Sequence, residues 1–269
     1  MHLKRWITAF VAVPLLATLI YKGPPLVFAF LISLIAVLAI WEYFHIVSGG
    51  DRKRILKPVP LVGAAAGLAM IAAALSASFE AMFLLMFSGL FFGALFSMPA
   101  YRSGPQIMDA VAQQAQGLVY IFLPLSLLVL LRGGPEGVTW IFFVVFVVFL
   151  GDVVAFYVGT YLGRHKLAPS ISPGKSVEGA LGGLAANIAV AIVFKSLFLP
   201  GLPTLHTAIF AVAAGIAGQI GDLFESELKR RAKIKDSGGI LPGHGGMLDR
   251  IDALLFASPV AYGFNLFIF

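Results

Sequence analysis

The chain has 269 residues, of which 59% are apolar and only 12% charged, and its mean hydropathy is +0.95. Soluble domains carry about 25% charged residues and about half apolar ones, so this composition excludes a water-soluble enzyme, a nucleic-acid-binding domain and a disordered chain. It describes an integral protein that crosses a bilayer many times. The net charge of +6 comes from basic residues in short loops between apolar runs, and the lack of cysteine excludes disulfides, thiolate nucleophiles, Cys-ligated zinc and iron–sulfur clusters.

Nine apolar segments are predicted as membrane helices: 6–22, 25–47, 58–76, 79–98, 114–131, 138–162, 179–199, 206–224 and 251–269. Each approaches the roughly 20 residues that a helix needs to span the hydrocarbon core, and a helix satisfies its own backbone polar groups there. The expected architecture is an all-α polytopic bundle of nine transmembrane helices. It forms one membrane domain over 1–269, with an N-terminal half at 1–131 and a catalytic half at 132–269. Pro14 and Pro124 fall inside spans as expected kinks. The first segment follows Lys4 and Arg5 but has no small-residue cleavage site before Lys22, and is expected to be retained rather than removed as a signal peptide. GAAAG (Gly63 to Gly67) and GLFFG (Gly89 to Gly93) read as close contacts in a crowded bundle rather than as a dimer motif.

With the N-terminus in the cytoplasm, the inside holds Lys4, Arg5, Arg52, Lys53, Arg54, Lys57, Arg102, Arg164, Lys166, Lys175, Lys229, Arg230, Arg231, Lys233, Lys235 and Arg250. That is 16 of the 19 basic residues, leaving Lys22, Arg132 and Lys195 outside. The positive-inside rule then places the C-terminus outside. Two polar cytoplasmic loops stand out, near 163–179 and near 225–250, both rich in Gly, Pro, Lys and Ser.

Carboxylates inside spans are expensive and mark function by default. Glu42, beside aromatic residues near a span end, reads as an interfacial side chain reaching headgroups. Asp152 lies well inside the sixth span and reads as functional, with no specific role. Asp222 and Glu225 share a helix face, as do Asp249 and Asp252, so two acidic pairs flank the second loop. Asp249 and Asp252 also suit a helix N-terminus, whereas Asp222 near a helix C-terminus would welcome a cation. Carboxylates beside Lys229, Arg230, Lys233 and Lys235 suit a magnesium–phosphate site, and glycines 238, 239, 243, 245 and 246 would let backbone N–H groups approach phosphate. His244 is a candidate proton carrier, phosphate donor or turn residue; no second His stands at zinc-ligand spacing. PGKS lacks the glycine five residues before Gly174 that a P-loop needs, yet Lys175 and Ser176 remain candidates for phosphate contact.

The stretch SELKRRAKIKDSGGILPGHGGMLDRID (226–252) resembles the signature of the phosphatidate cytidylyltransferase (CDP-diacylglycerol synthase) family. The matching positions are Ser226, Lys229, Arg230, Lys235, Asp236, Gly238, Pro242, His244, Gly245, Gly246, Asp249, Arg250 and Asp252. The stretch 152–179 resembles the family's second conserved block, with Gly174 and Ser176 where members often carry Lys and Thr. The resemblance implies transfer of CMP from CTP to phosphatidic acid, giving CDP-diacylglycerol and pyrophosphate. It also implies Mg²⁺ and a second cation such as K⁺. Carried over, Asp222 and Asp249 become metal ligands, with Glu225 and Asp252 as further candidates. Lys229, Arg230 and His244 join them as catalytic residues. Ser172, Lys175, Ser176, Ser226, Lys235, Gly245, Gly246 and Arg250 become substrate-binding residues. The expected partners are CTP, phosphatidic acid and membrane lipids, with no nucleic acid; a homodimer is compatible. The expected location is a bacterial cytoplasmic membrane, with the site on the cytoplasmic side. The competing readings are a transporter coupled through intramembrane Asp residues, and a related lipid-phosphate or polyprenol transferase.

Overall fold

The computed structural model describes residues 14–50, 57–100, 107–238 and 245–268. Among them, eight helices are long and apolar enough to cross a membrane. The protein is an all-α polytopic membrane protein. Of the first predicted span, residues 14–22 are helical and 6–13 lie outside the described residues. The packing divides into two compact units, Met1–Gly133 with Asp236–Asp249, and Gly134–Lys235 with Arg250–Phe269.

The first unit contains α1 (Pro25–Val47), α2 (Pro58–Leu75), α3 (Phe79–Ala100), α4 (Ile107–Gly117), a π-helical turn (Leu118–Phe122) and α5 (Leu123–Gly133). Helices α1 and α2 open on Pro25 and Pro58, where a missing N–H leaves no bond unmade. On α1, Phe28, Ile32, Ala36, Ile40 and Tyr43 form the buried stripe, while Leu26 and Phe30 on the other face are 69% and 72% exposed. A helix apolar on both faces is stable when its outward face meets lipid. The last predicted span of this unit starts earlier than expected, because α4, the π turn and α5 run on continuously over Ile107–Gly133.

Gln114 explains the glycine motifs. A Cβ at Gly63 or Gly93 would overlap its side chain, and one at Gly67 would overlap the Phe122 ring. The space that those glycines leave lets Gln114 Nε2 donate to the Gly89 carbonyl at 2.6 Å. GAAAG and GLFFG therefore build an intramolecular seat. Arg132 donates to the carbonyls of Ile20 and Gly23, where the helix over 14–22 ends; a cation there complements the helix dipole.

The second unit contains α6 (Gly137–Leu162), a hairpin of β1 (Lys166–Ala168) and β2 (Ser172–Ser176), α7 (Val177–Phe198), α8 (Thr204–Arg231) and α9 (Leu248–Ile268), whose first two residues belong to the first unit. The loop expected at 163–179 is thus largely an antiparallel hairpin, pairing Lys166 with Ser176 and Ala168 with Ser172. Helix α8 continues to Arg231, so Glu225–Arg231, expected in a loop, are helical. An aromatic core joins α6 to α9: Phe143 stacks on Phe194 and Phe210 at 5.1 and 4.8 Å, and Phe210 meets Phe264 at 5.6 Å.

Asn187, 3% exposed, is seated between Gly151 and Gly215. With its amide nitrogen toward the carbonyls, it donates to Val147 at 2.8 Å and Gly183 at 3.2 Å, tying α6 to α7. A Cβ at position 151 would strike this amide. Gly151→Ala is expected to destabilise by about 1–3 kcal/mol, read as a lower thermal midpoint in detergent; an unchanged midpoint would mean that Asn187 gives way freely.

Candidate active site

In the second unit, three elements bring charge to one cleft. Asp152 comes from α6, Lys175 from β2 and Asp222 from α8; Lys175 Nζ lies 2.5 Å from Asp222 Oδ2. The cleft encloses about 400 Å³, and Ser172, Ser176 and Gln219 add polar groups while Phe156, Leu167 and Ala155 form an apolar wall. Phe156 is 67% exposed. The cleft can receive a molecule with a charged end and a hydrocarbon end.

Local sequence explains the assembly. Ser176 ends β2 and caps α7, its Oγ accepting from Gly179 N at 3.1 Å. Gly159 and Gly179 let α6 and α7 approach closely, since a Cβ on Gly179 would come 3.0 Å from the Gly159 Cα. Glu178 accepts from the backbone N–H groups of Arg164 and His165 and pairs with His165 Nδ1 at 2.5 Å, so the start of α7 holds the end of α6. Arg230 Nε donates to the Ile171 carbonyl at 3.0 Å, fixing the turn of the hairpin that carries Lys175. Gly174 faces open space.

Asp252 on α9 lies within electrostatic range of Asp222 and Asp152, and its backbone carbonyl passes close to Gly221. Glu225, fully buried, forms an ion pair with Lys229 one turn along α8. Ser226 is 9% exposed, whereas Lys235 and Arg250 are exposed. Among the described residues no three His, Asp or Glu side chains gather tightly enough to hold an ion by themselves. That donor set still fits Mg²⁺, which takes one or two carboxylates and fills its remaining positions with water and phosphate oxygens.

The first unit contains the other acidic site. Glu42, expected at the headgroups, is instead 2% exposed. Its carboxylate accepts from Met247 N at 3.0 Å, Leu248 N at 2.8 Å and Ser237 Oγ at 3.0 Å. Those donors meet the cost of burying the charge, which the interfacial reading leaves to the headgroups. Asp249 Oδ2 accepts from Ser237 N and Gly246 N at 3.0 and 2.9 Å, and Ser237 Oγ, with one proton to share, lies 3.0 Å from both carboxylates. Gly246 thus gives its N–H to Asp249, and a Cβ at Gly246 or Gly238 would run into Glu42. Gly245 has φ +80°, the left-handed region that favours glycine. His244, with Gly239, Pro242 and Gly243, lies outside the described residues.

The pattern of the family described as "Cytidylyltransferase family" matches residues 3–268. The chain belongs to the cytidylyltransferase family. It is 31% identical to the phosphatidate cytidylyltransferase of Staphylococcus epidermidis over 268 residues, covering 95% of this chain and 96% of that one. It is 44% identical to the phosphatidate cytidylyltransferase of Bacillus subtilis over 126 residues, 47% of each chain. It is also 44% identical to that of Brucella abortus over 156 residues, 56% of each. The Bacillus and Brucella alignments span about half of those relatives' length.

In this cytidylyltransferase-family protein, the second unit gathers Asp222, Lys175, Ser172 and Ser176, together with Asp152, which the sequence had marked without a role. Gln219 was missed; it lies three residues before Asp222, on the same helix face, and donates to the Ala180 carbonyl at 2.9 Å. That spacing was the available signal. The first unit gathers Asp249 and Gly246 around Glu42 and Ser237.

Proposed function

We propose that this family member is a phosphatidate cytidylyltransferase: it transfers CMP from CTP to phosphatidic acid, yielding CDP-diacylglycerol and pyrophosphate. The observation that carries the reading is the cleft that Lys175, Asp222 and Asp152 line together with the apolar side chains of Phe156, Leu167 and Ala155. A lipid phosphate needs both faces of such a cleft.

The nucleophile is a phosphate oxygen of phosphatidic acid. With a second pKa of about 6 it is largely dianionic at neutral pH, so no strong protein base is required. It attacks the α-phosphorus of CTP; a new P–O bond forms, the bond between the α-phosphorus and its bridging oxygen breaks, and pyrophosphate leaves with the electron pair. The difficulty is bringing two anions together. Lys175 offsets that repulsion on the hairpin side, and Lys229 and Arg230 add positive charge at the end of α8. Mg²⁺, held by Asp222, would supply Lewis-acid stabilisation of the charge that develops on the departing phosphates. Asp152 and Asp252 both lie within electrostatic range of Asp222. Asp249, the other ligand expected from the sequence, also organises its own loop through Oδ2.

Purified protein supplied with Mg²⁺, CTP and phosphatidic acid should form CDP-diacylglycerol; no lipid product together with uptake of a phosphorylated solute would favour a transporter instead. The proposed location is the bacterial inner membrane, with the cleft opening to the cytoplasm. Reporter fusions near Lys233 should be cytoplasmic and fusions after Gly134 external, following the 16 to 3 split of basic residues. The reverse pattern would overturn the orientation and the side on which CTP arrives.

A further inference from the structure

Beyond the catalytic cleft, the molecule has a buried carboxylate that the proposed reaction does not use. Glu42 sits on α1 yet bonds almost entirely to a segment about 200 positions later in the chain. Its partners stand on both sides of positions 239–244: Ser237 precedes them, and Met247 and Leu248 follow. Asp249 repeats the pattern, accepting from Ser237 on one side and Gly246 on the other. Ser237 Oγ lies 3.0 Å from both Glu42 Oε2 and Asp249 Oδ2. Gly238 and Gly246 leave the room that the Glu42 carboxylate occupies; at Gly238 a Cβ would come 2.5 Å from Oε1.

We infer that Glu42 is a positioning residue: it clamps Ser237 together with Met247 and Leu248 and thereby sets Asp249 and the start of α9. The inference rests on the proposed cytidylyl transfer for its kinetic consequence, but not for its structural one. A carboxylate at this depth in an apolar unit is costly unless its acceptors are filled. The donors that fill it are backbone N–H groups and one hydroxyl, which fix a chain path rather than receive a substrate. Gln at this position keeps one acceptor oxygen and turns an NH₂ group toward backbone N–H donors, so the clamp loosens while the side-chain volume stays.

The test has two readouts. Hydrogen exchange followed by mass spectrometry on Glu42→Gln should show faster exchange confined to peptides covering Met247 and Leu248. Turnover should fall by about 10–100-fold, the range for losing an outer partner of a functional group, with the KM for CTP changed far less. Glu42→Asp, which keeps the charge, should restore part of the loss. Ser237→Ala combined with Glu42→Gln should cost less than the two separate losses multiplied, because both act through one hydroxyl. Unchanged exchange at Met247 and Leu248 would overturn the clamp. Faster exchange with unchanged turnover would overturn the positioning role. If Glu42→Gln does not fold, Ser237→Ala alone carries the same exchange and turnover tests. Wild-type protein that transfers no cytidylyl group would overturn the proposed function, while the exchange result would still decide the clamp.

Discussion

Asp222→Asn should reduce cytidylyl transfer by about 10²–10³-fold while the protein inserts and elutes as the wild type does. Asn keeps the shape of the side chain and removes its charge, so packing on α8 survives and metal holding does not. The helix dipole does not act on Asp222. The sequence places it near a helix end, where the dipole would disfavour an anion, but α8 runs on to Arg231. Asp222 is thus more than two turns from the C-terminus, beyond the reach of a dipole effect confined to the last turn. Its case rests instead on position: a half-exposed carboxylate in a cleft, beside Lys175 and in range of two further carboxylates. Turnover titrated against Mg²⁺ checks it. Near-normal activity with the wild-type Mg²⁺ requirement would leave Asp222 as no more than the counter-ion of Lys175.

Lys175→Met should lower kcat/KM for phosphatidic acid or CTP by about 10²-fold, well beyond the effect of a surface charge. Gly174 makes this lysine the only cation in SPGKS, and Asp222 and Asp152 are the anions it faces. Removing it leaves two carboxylates to repel an incoming phosphate. The double variant Lys175→Met, Asp222→Asn should depart from additivity, since the two side chains touch. Steady-state kinetics with each substrate varied in turn measures this. Wild-type constants for both would return Lys175 to the ordinary role of a basic residue flanking a span.

The spans were legible because a bilayer imposes one rule on every segment: about 20 apolar residues with internally satisfied backbone. The ends were less so. Glu225–Arg231 look like loop by composition, yet Lys229, Arg230 and Arg231 are favourable in the last turn of a helix. The hairpin at 166–176 was hidden because its strands are short and polar, without the alternation that marks a half-buried sheet. Lys175, Ser176 and Asp222 could be named from chemistry and spacing, and Ser172 from the family resemblance; all four line one cleft. Glu42 could not be understood the same way. Its meaning depends on partners about 200 residues away, and beside Trp41 and Tyr43 the cheaper local explanation was an interfacial belt. At Gly238 and Gly246 a Cβ would meet Glu42, and a position that needs no side chain looks alike in sequence whether phosphate or a buried carboxylate lies beside it.

The central claim, that the lipid phosphate attacks the α-phosphorus of CTP and releases pyrophosphate, is most directly tested by parallel reactions with CTP labelled at either the α- or the γ-phosphate. With phosphatidic acid and Mg²⁺, α-label should enter the lipid phase and γ-label should leave as aqueous pyrophosphate, one for one. Recovery of γ-label in the lipid, or of neither label in a new product, would contradict the account.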